Sequence, residues 1–440
     1  MSPATLTRKI LVWLLLNPRL HDIRRRLHDI RRRLLRKPHV VDVFLQVDDP
    51  YSYLLSHYLP ELGDAYDIEL RLHLTQALGE VFRPCAEMLV VYAQKDCERL
   101  ARELGLPFLD KGNAPPVEHR RALVEALAVT ASQSDICSAL ESYWRGDAEA
   151  VARRVDGASA GRADRVLADN QKLLEKLGHY EVATLHHAGV WYWGVDRLRY
   201  LVSALDRLQL RHEDAIMPRI ASIQQAQSTA LPITPPAAAK QLPPLELFYS
   251  FRSPYSYLVL QRVYAIADAF GLQLVIRPVL PMIQRGFQVP RSKLKYILTD
   301  AAREADRLNI PFGRIAPPTG SVIDRCMSTY YYAAGERRER DFLLHLGDAC
   351  WHRGIDVGTD KGLRKVTAKT GLFWPEVKAA LDDDSWRPGV EANRESMAES
   401  GCWGVPTLKL DEFVVWGQDR TWLLLRHLEE RCDAGEGILV

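Results

Sequence analysis

The chain has 440 residues, of which 47% are hydrophobic and 26% charged, and its formal net charge is +2. A chain of this length is expected to form two domains rather than one. Residues 1–37 contain eleven Lys or Arg and two Asp, whereas the rest of the chain carries 47 basic and 54 acidic side chains. This mildly acidic body argues against a nucleic-acid-binding surface, and no nucleic-acid partner is expected.

A basic segment, residues 1–38, opens the chain. Its apolar run at residues 10–16 is too short to cross a bilayer, and no small-residue cleavage site follows, which argues against a signal peptide. In LHDIRRRLHDIRRRL, Leu and Ile recur three or four residues apart and predict a basic amphipathic helix. One interpretation is that residues 8–37 contact an anionic membrane surface. The alternative is a solvated appendage that docks on its own domain or on a partner.

Seven cysteines are scattered through the chain without a Cys-x-x-Cys pair. This pattern predicts reduced thiols and a cytoplasmic protein, which would be peripheral at the inner membrane surface if the basic helix binds lipid. Cys350-Trp-His352 and His186-His187 lack the spacing of a zinc site, so no metal is expected. Nothing in the sequence sets the oligomeric state.

Two pairs of segments reveal an internal repeat. VDVFLQVDDPYSYLLSHYLPELGDAYDIELRLHL (41–74) aligns with LELFYSFRSPYSYLVLQRVYAIADAFGLQLVIRPVL (245–280). GHYEVATLHHAGVWYWGVDRLRYLVSAL (178–205) aligns with GCWGVPTLKLDEFVVWGQDRTWLLLRHL (401–428). The repeat predicts two tandem domains, residues 39–212 and 244–432, joined by a Pro/Ala-rich linker at 213–243.

Each copy is predicted to run strand, Pro-opened helix, strand, then a long helical middle, then two strands and a helix. In the second copy the middle covers about residues 290–397. The closing strands are expected at 407–410 and 413–416 with a hairpin at Asp411-Glu412, and the last helix from about Asp419. The fold class is therefore α/β, with two thioredoxin-like domains of the DsbA type, each carrying a helical insertion.

The C-terminal copy resembles the 2-hydroxychromene-2-carboxylate isomerases and kappa-class glutathione transferases of the DsbA-like superfamily. FRSPYSYL, KLKYILTDAAREA, GVPTL and WGQDR carry this resemblance in order, over residues 245–430. It implies a glutathione-dependent isomerase or transferase acting on a small molecule, such as an aromatic or unsaturated carboxylate. Arg252, Arg277 and Arg285 are candidates to receive that carboxylate, although each has an alternative as a surface arginine.

Ser253 precedes Pro254, the favoured first residue of a helix, and is therefore the predicted N-cap at the positive end of the helix dipole. In disulfide-exchanging relatives, Cys-x-x-Cys occupies the positions of Ser253 and Ser256, so dithiol chemistry is excluded here. A serine hydroxyl can still donate a hydrogen bond to the thiolate of bound glutathione and lower its pKa. Ser253 is the predicted catalytic residue, and its alternative role is a plain N-cap.

Pro406 is predicted to follow a cis peptide bond, because thioredoxin-like folds place a cis proline beside this helix terminus. The backbone of Val405 would then pair with an extended peptide such as glutathione. The alternative is an ordinary proline at a strand edge. By resemblance, Gln418 and Asp419 hold the γ-glutamyl end of glutathione, and Asp419 has an equal alternative as the N-cap of the last helix.

The N-terminal copy, residues 41–210, has the same pattern with eroded motifs. Asp49 replaces Ser253 and Ala183 replaces Pro406, while Asp196 and Arg197 remain. A carboxylate repels a thiolate, so this copy is predicted to have lost the glutathione site. The alternative function for the whole chain is a non-catalytic DsbA-like binding or chaperone-like protein in which Ser253 only caps its helix.

Overall fold

The computed structural model describes residues 14–76, 79, 81–108, 117–127, 133–155, 162–228 and 242–436. They form two compact units. The N-terminal unit comprises His21–Gln227 with Pro290–Lys293, and the C-terminal unit comprises Ser228–Val289 and Leu294–Val440 with Met1–Leu20. The predicted apolar run at 10–16 and the centre of the predicted linker, 229–241, lie largely outside the described residues.

The N-terminal half begins with the basic helix α1, Pro18–Leu34, as the Leu/Ile spacing predicts. The first strand-helix-strand part follows as β1 Val40–Leu45, α2 Pro50–Ser56, α3 Leu59–Ala65 and β2 Glu69–Leu74. The helical middle consists of α4 Ala86–Leu104, α5 Val117–Leu127, α6 Gln133–Trp144, α7 Ala148–Val155 and α8 Arg162–Leu177. The closing part consists of β3 Thr184–His187, β4 Val190–Trp193, a 3-10 turn at Val195–Arg197, α9 Leu198–Arg207 and α10 Pro218–Ala226.

The C-terminal half repeats this order. It opens with β5 Leu245–Tyr249, α11 Pro254–Phe270, β6 Leu274–Pro278 and a 3-10 turn at Met282–Arg285. Its helical middle consists of α12 Arg291–Arg307, α13 Ser321–Gly335, α14 Glu339–Gly347 with a π turn at Asp348–His352, α15 Asp360–Thr367, α16 Trp374–Ala380 and α17 Arg387–Glu399. It closes with β7 Thr407–Leu410, β8 Phe413–Trp416, a 3-10 turn at Gln418–Arg420 and α18 Thr421–Glu436.

The two sheets share one topology, β2-β1-β3-β4 and β6-β5-β7-β8. In each, the first two strands are parallel and the closing pairs antiparallel. The register also repeats, because Phe44 pairs with Thr184 as Phe248 pairs with Thr407. The central strands β1 and β5 are largely apolar and buried, as expected for a strand covered on both faces. The predicted α/β fold with two thioredoxin-like sheets is confirmed.

The first helix of the N-terminal copy differs from the prediction. The sequence pattern predicts one helix, but the structure has two, α2 and α3, interrupted at His57 and Tyr58. Pro60 lies in the first turn of α3. Because proline has no N–H to donate, it is accommodated at a helix start and disrupts a helix interior. The corresponding α11 lacks an internal proline and is continuous over seventeen residues.

The segment predicted as a linker contains a helix, α10, which belongs to the N-terminal unit. The carboxylate of Glu61 accepts hydrogen bonds from the backbone N–H groups of Arg219 and Ile220 at its first turn. Ile220 and Ile223 are buried beneath it. The packed segment thus extends to Gln227. No helix in the described part of the chain combines the length and apolarity that a membrane span requires.

Candidate active site

Ser253 lies at the N-terminus of α11, directly after the central strand β5. Its backbone is extended, and its Oγ accepts a hydrogen bond from the Ser256 N–H at 3.1 Å, so Ser253 is the N-cap. The same hydroxyl donates to the carbonyl oxygen of Val405 at 3.5 Å. That distance is at the outer limit of hydrogen bonding, so the proton could be redirected to a better acceptor at little cost.

The Val405–Pro406 peptide bond is cis, as predicted. The carbonyl of Pro406 accepts a hydrogen bond from the Gly417 N–H at 2.9 Å, which fixes this turn to the end of β8. The Val405 N–H has no backbone partner within the described residues. Gly404 must be glycine here, because a Cβ would collide with the indole of Trp416. The turn therefore brings the backbone of Val405 to the Ser253 hydroxyl.

Gln418 and Asp419 lie in the 3-10 turn that follows β8. The side chain of Gln418 is buried and donates to Glu304 on α12 at 2.7 Å, and Arg307 pairs with the same carboxylate at 2.8 Å. The side-chain amide of Gln418 is therefore already hydrogen-bonded within the protein. The sequence alone did not indicate Glu304 as its partner. Asp419 lies in the 3-10 turn that precedes α18, 3.9 Å from Arg420. Its side chain keeps about a fifth of its surface exposed.

An aromatic cluster lies beside the Gly404-Val405 turn. The rings of Trp403 and Trp416 meet edge to face at 5.3 Å, and Phe287 lies 5.9 Å from Trp403. Arg285 donates to the carbonyl of Trp403 at 3.0 Å and lies over the ring of Phe287. Of the three candidate arginines, Arg277 pairs with Glu246 on the neighbouring strand, whereas Arg285 adjoins this turn.

The C-terminal half of the chain is similar to known proteins. Residues 244–429 match the model of one family, the DSBA-like thioredoxin domain. The C-terminal half contains a DSBA-like domain. Two proteins named 2-hydroxychromene-2-carboxylate isomerase are similar to this chain. The one from Pseudomonas putida is 24% identical over 196 residues, which are 43% of this chain and 95% of that protein. The one from Sphingobium xenophagum is 23% identical over 192 residues, which are 42% of this chain and 97% of that protein.

A solved structure of a 2-hydroxychromene-2-carboxylate isomerase is 23% identical to the chain. Its TM-score is 0.39, and the match covers 44% of this chain and 99% of that one.

Two residues of the repeated Pro-Tyr-Ser-Tyr-Leu motif are structural ties in the DSBA-like domain and in its N-terminal counterpart. Tyr255 donates to Asp300 at 2.8 Å, and Tyr51 donates to Asp96 at the same distance. The hydroxyls of Ser256 and Ser52 accept backbone N–H groups from the preceding strand ends. Both Tyr–Asp pairs are offset by the same 204 residues, so extending the repeat alignment to α4 and α12 would have found them. The fold alone therefore explains why both copies keep these residues.

The N-terminal counterpart of Ser253 is a satisfied cap. One oxygen of Asp49 accepts both the N–H and the hydroxyl of Ser52, each at 2.8 Å. Burial raises the pKa of Asp49, although Arg83 and the bonds from Ser52 act in the opposite direction. Ala183, in place of Pro406, has φ of +53°. Glu181 replaces Gly404, and burial raises its pKa to about 7.

We call the positions that correspond to the C-terminal site the N-terminal recess: Asp49, Ala183, Val195 and Asp196. The chain's own side chains occupy two of them. Asp196, the counterpart of Asp419, accepts a 2.6 Å hydrogen bond from the buried side chain of Gln227. The Glu304–Gln418 pair is replaced by Leu100 and Val195, both buried. In the N-terminal unit, Asp196 is therefore hydrogen-bonded to Gln227, and two apolar side chains stand where the C-terminal unit has a polar pair.

Within the described residues, neither the cysteines nor a metal-ligating group provides a further site. All seven cysteines are free, and burial raises the pKa of Cys326 to about 12. Within the described ranges, no group of three or more His, Cys, Asp or Glu side chains is arranged to hold a metal ion.

Proposed function

We propose that the C-terminal unit is a glutathione-dependent isomerase of the 2-hydroxychromene-2-carboxylate isomerase type, acting on a small aromatic or unsaturated carboxylate. The observation that carries the proposal is the Ser253 hydroxyl, which lies at the N-terminus of a seventeen-residue helix and 3.5 Å from the Val405 carbonyl. The named isomerases that the chain resembles support the same reaction class.

The residues present fit glutathione. The N–H of Val405, which has no backbone partner in the described chain, and the nearby carbonyl would pair with an extended peptide in the manner of a strand. The carboxylate of Asp419 suits the ammonium of a γ-glutamyl group, since opposite charges attract. Gln418 would act indirectly, because its side chain holds Glu304 in place.

Ser253 would donate its proton to the thiolate, and the N-terminus of α11 would add the favourable end of the helix dipole. Together they lower the pKa of the thiol, and only the deprotonated form is nucleophilic. Bound glutathione would supply the thiol that adds to the unsaturated substrate, allows rotation about the bond that has become single, and then leaves. Arg285 would hold the carboxylate while Trp403 and Phe287 flank the ring.

The test replaces Ser253 in the full chain. Ser253→Asp keeps an N-cap but exchanges the donor for an anion, as in the N-terminal copy. Ser253→Gly removes the hydroxyl at a cost of only about a few tenths of a kcal/mol. We expect both variants to lose the ultraviolet signal of the glutathione thiolate. Isomerisation of 2-hydroxychromene-2-carboxylate should fall by about 10²–10³-fold, which is typical for the loss of one donor to a developing anion.

Circular dichroism would verify the fold, and Ser400→Ala, which removes a hydroxyl from the end of α17, is the matched control. Full thiolate signal and turnover in Ser253→Asp would overturn the assignment of Ser253. Retention of the wild type on immobilised glutathione without any turnover would favour the alternative function, a non-catalytic binding protein.

A further inference from the structure

Helix α1 presents its apolar side to solvent. Four residues spaced four, three and four apart form one stripe along it. Their exposed fractions are 50% for Ile23, 60% for Leu27, 54% for Ile30 and 79% for Leu34. We call these four residues the α1 stripe. An amphipathic helix of a water-soluble domain normally turns this side toward the core.

The polar side of α1 carries a group of hydrogen bonds and ion pairs centred on Asp29. Asp29 accepts hydrogen bonds from Arg32 at 3.0–3.1 Å, pairs with Arg33 at 2.8 Å and lies 3.8 Å from His39. Arg32 also donates to the carbonyl of Lys37 at 2.8 Å. The bonds of Asp29 with Arg32 and Arg33 lie within α1, so among its contacts only the one with His39 joins this side of the helix to the rest of the unit. The Asp29 and Arg32 side chains are only 17% and 19% exposed, so the polar side of α1, and not the stripe, faces the unit.

Basic side chains border the α1 stripe on both sides. At 3.6 residues per turn, Arg26 and Arg31 lie about 70° to either side of the stripe. Both are exposed, and neither forms an ion pair within the described residues. Arg36 and Lys37, just beyond the helix, are also exposed. An apolar stripe between two rows of cations is complementary to a surface with a hydrocarbon layer beneath a negatively charged layer.

We propose that α1 docks on the surface of an anionic lipid bilayer, with the α1 stripe in the acyl boundary and the flanking arginines at the phosphates. Arginine stems can lie along the apolar layer while the guanidinium groups reach the headgroups. Pairing of two chains through the same stripe is disfavoured, because it would bring their rows of arginines together. This inference is independent of the chemistry proposed for Ser253.

The test is co-sedimentation of the full chain with phosphatidylcholine vesicles, with and without phosphatidylglycerol. We expect binding only to vesicles that contain phosphatidylglycerol, and weaker binding at high salt. Leu27→Gln with Ile30→Gln should abolish it. Arg26→Gln and Arg31→Gln should each reduce the partition coefficient roughly fivefold at low salt. The controls are Ile216→Gln, an exposed apolar residue outside α1, and Lys172→Gln, an exposed cation on α8.

Far-UV circular dichroism must show that the variants remain folded, and the arginine variants provide a second test if the apolar pair is unstable. Equal binding to both kinds of vesicle, no binding by the wild type, or unchanged binding by either set of α1 variants would overturn the proposal. A wild-type dimer that Leu27→Gln with Ile30→Gln converts to a monomer would assign the stripe to a second copy of the chain instead.

Discussion

Ser253 and Asp49 cap corresponding helices, but they differ in what their side chains have left to donate. The Asp49 carboxylate only accepts hydrogen bonds, and its Oδ2 is already used twice by Ser52. The Ser253 hydroxyl accepts one backbone N–H and keeps a proton that is only weakly engaged at Val405. At this position, Asp in place of Ser leaves a side chain that accepts hydrogen bonds but has no proton to donate.

Arg285 is the residue to test for substrate recognition. We expect Arg285→Gln to lower kcat/KM for an aromatic carboxylate by about 10–100-fold, mainly through KM, because a charge-assisted hydrogen bond contributes about 1.5–3 kcal/mol. The KM for glutathione should change little. Arg277→Gln is the matched control, since Arg277 pairs with Glu246 on the sheet. Steady-state kinetics on both variants would check this, and equal effects of the two would argue against Arg285.

Restoring a site in the N-terminal unit should fail with the two obvious reversions. Relative to a Ser253→Ala background measured in parallel, we expect calorimetry to show no additional glutathione binding after Asp49→Ser, and none after adding Ala183→Pro. Proline requires φ near −65°, whereas Ala183 has φ of +53°, and Gln227 still occupies Asp196. The unmodified chain, with Ser253 intact, is the positive control. An additional equivalent bound by the triple variant, beyond the Ser253→Ala background, would show that the N-terminal recess opens more readily than its hydrogen bonds indicate.

Among the elements, the closing strands were the most predictable from sequence. β7 and β8 begin and end at the predicted residues, because short alternating runs flank a tight turn at Asp411-Glu412. Helix α10 was missed, since its composition is that of a linker and its N-terminus is capped by Glu61, more than 150 residues away. The positive φ of Ala183 was equally invisible, because alanine rarely adopts the left-handed region and nothing in its local sequence signals it. Contacts between residues far apart in the sequence determine features, such as helix α10, that composition and periodicity do not predict.

Strand β3 carries a titrating group that should make the N-terminal unit sensitive to acid. Burial, reinforced by nearby basic groups that include His39 and His28, lowers the pKa of His187 from 6.5 to about 3. Between these values the unfolded chain binds a proton that the folded chain does not. The free energy of unfolding therefore falls as the pH drops from 6.5 toward 3.

We expect His187→Gln to reduce this acid-induced loss by about 3 kcal/mol between pH 6.5 and about pH 4. Hydrogen exchange of the β1 and β3 amides, followed by mass spectrometry, would report the local free energy of opening. His212→Gln, at an exposed histidine, is the control. An equally steep pH dependence in both variants would mean that another group controls the acid response.

At the scale of the whole molecule, the two units share one sheet topology but differ in the side chains at corresponding positions. Both units keep the strand order, the register and the Tyr–Asp ties. The C-terminal unit adds the buried pair Gln418–Glu304, where the N-terminal unit has two apolar residues. A satisfied polar pair and an apolar pair are both acceptable in a core, whereas a mixture would leave one polar group unpaired. The two positions are expected to have changed together.

The hydrogen bond from Gln227 to Asp196 has a consequence for how the chain responds to ligand concentration. With one recess closed by the chain itself, we expect calorimetric titration with glutathione to saturate at about one equivalent per chain, with a Hill coefficient of about 1. Two equivalents would contradict the closure. Because a single site has no second site within the chain to influence, a sigmoidal response would have to arise from association between chains, and its steepness would then depend on protein concentration.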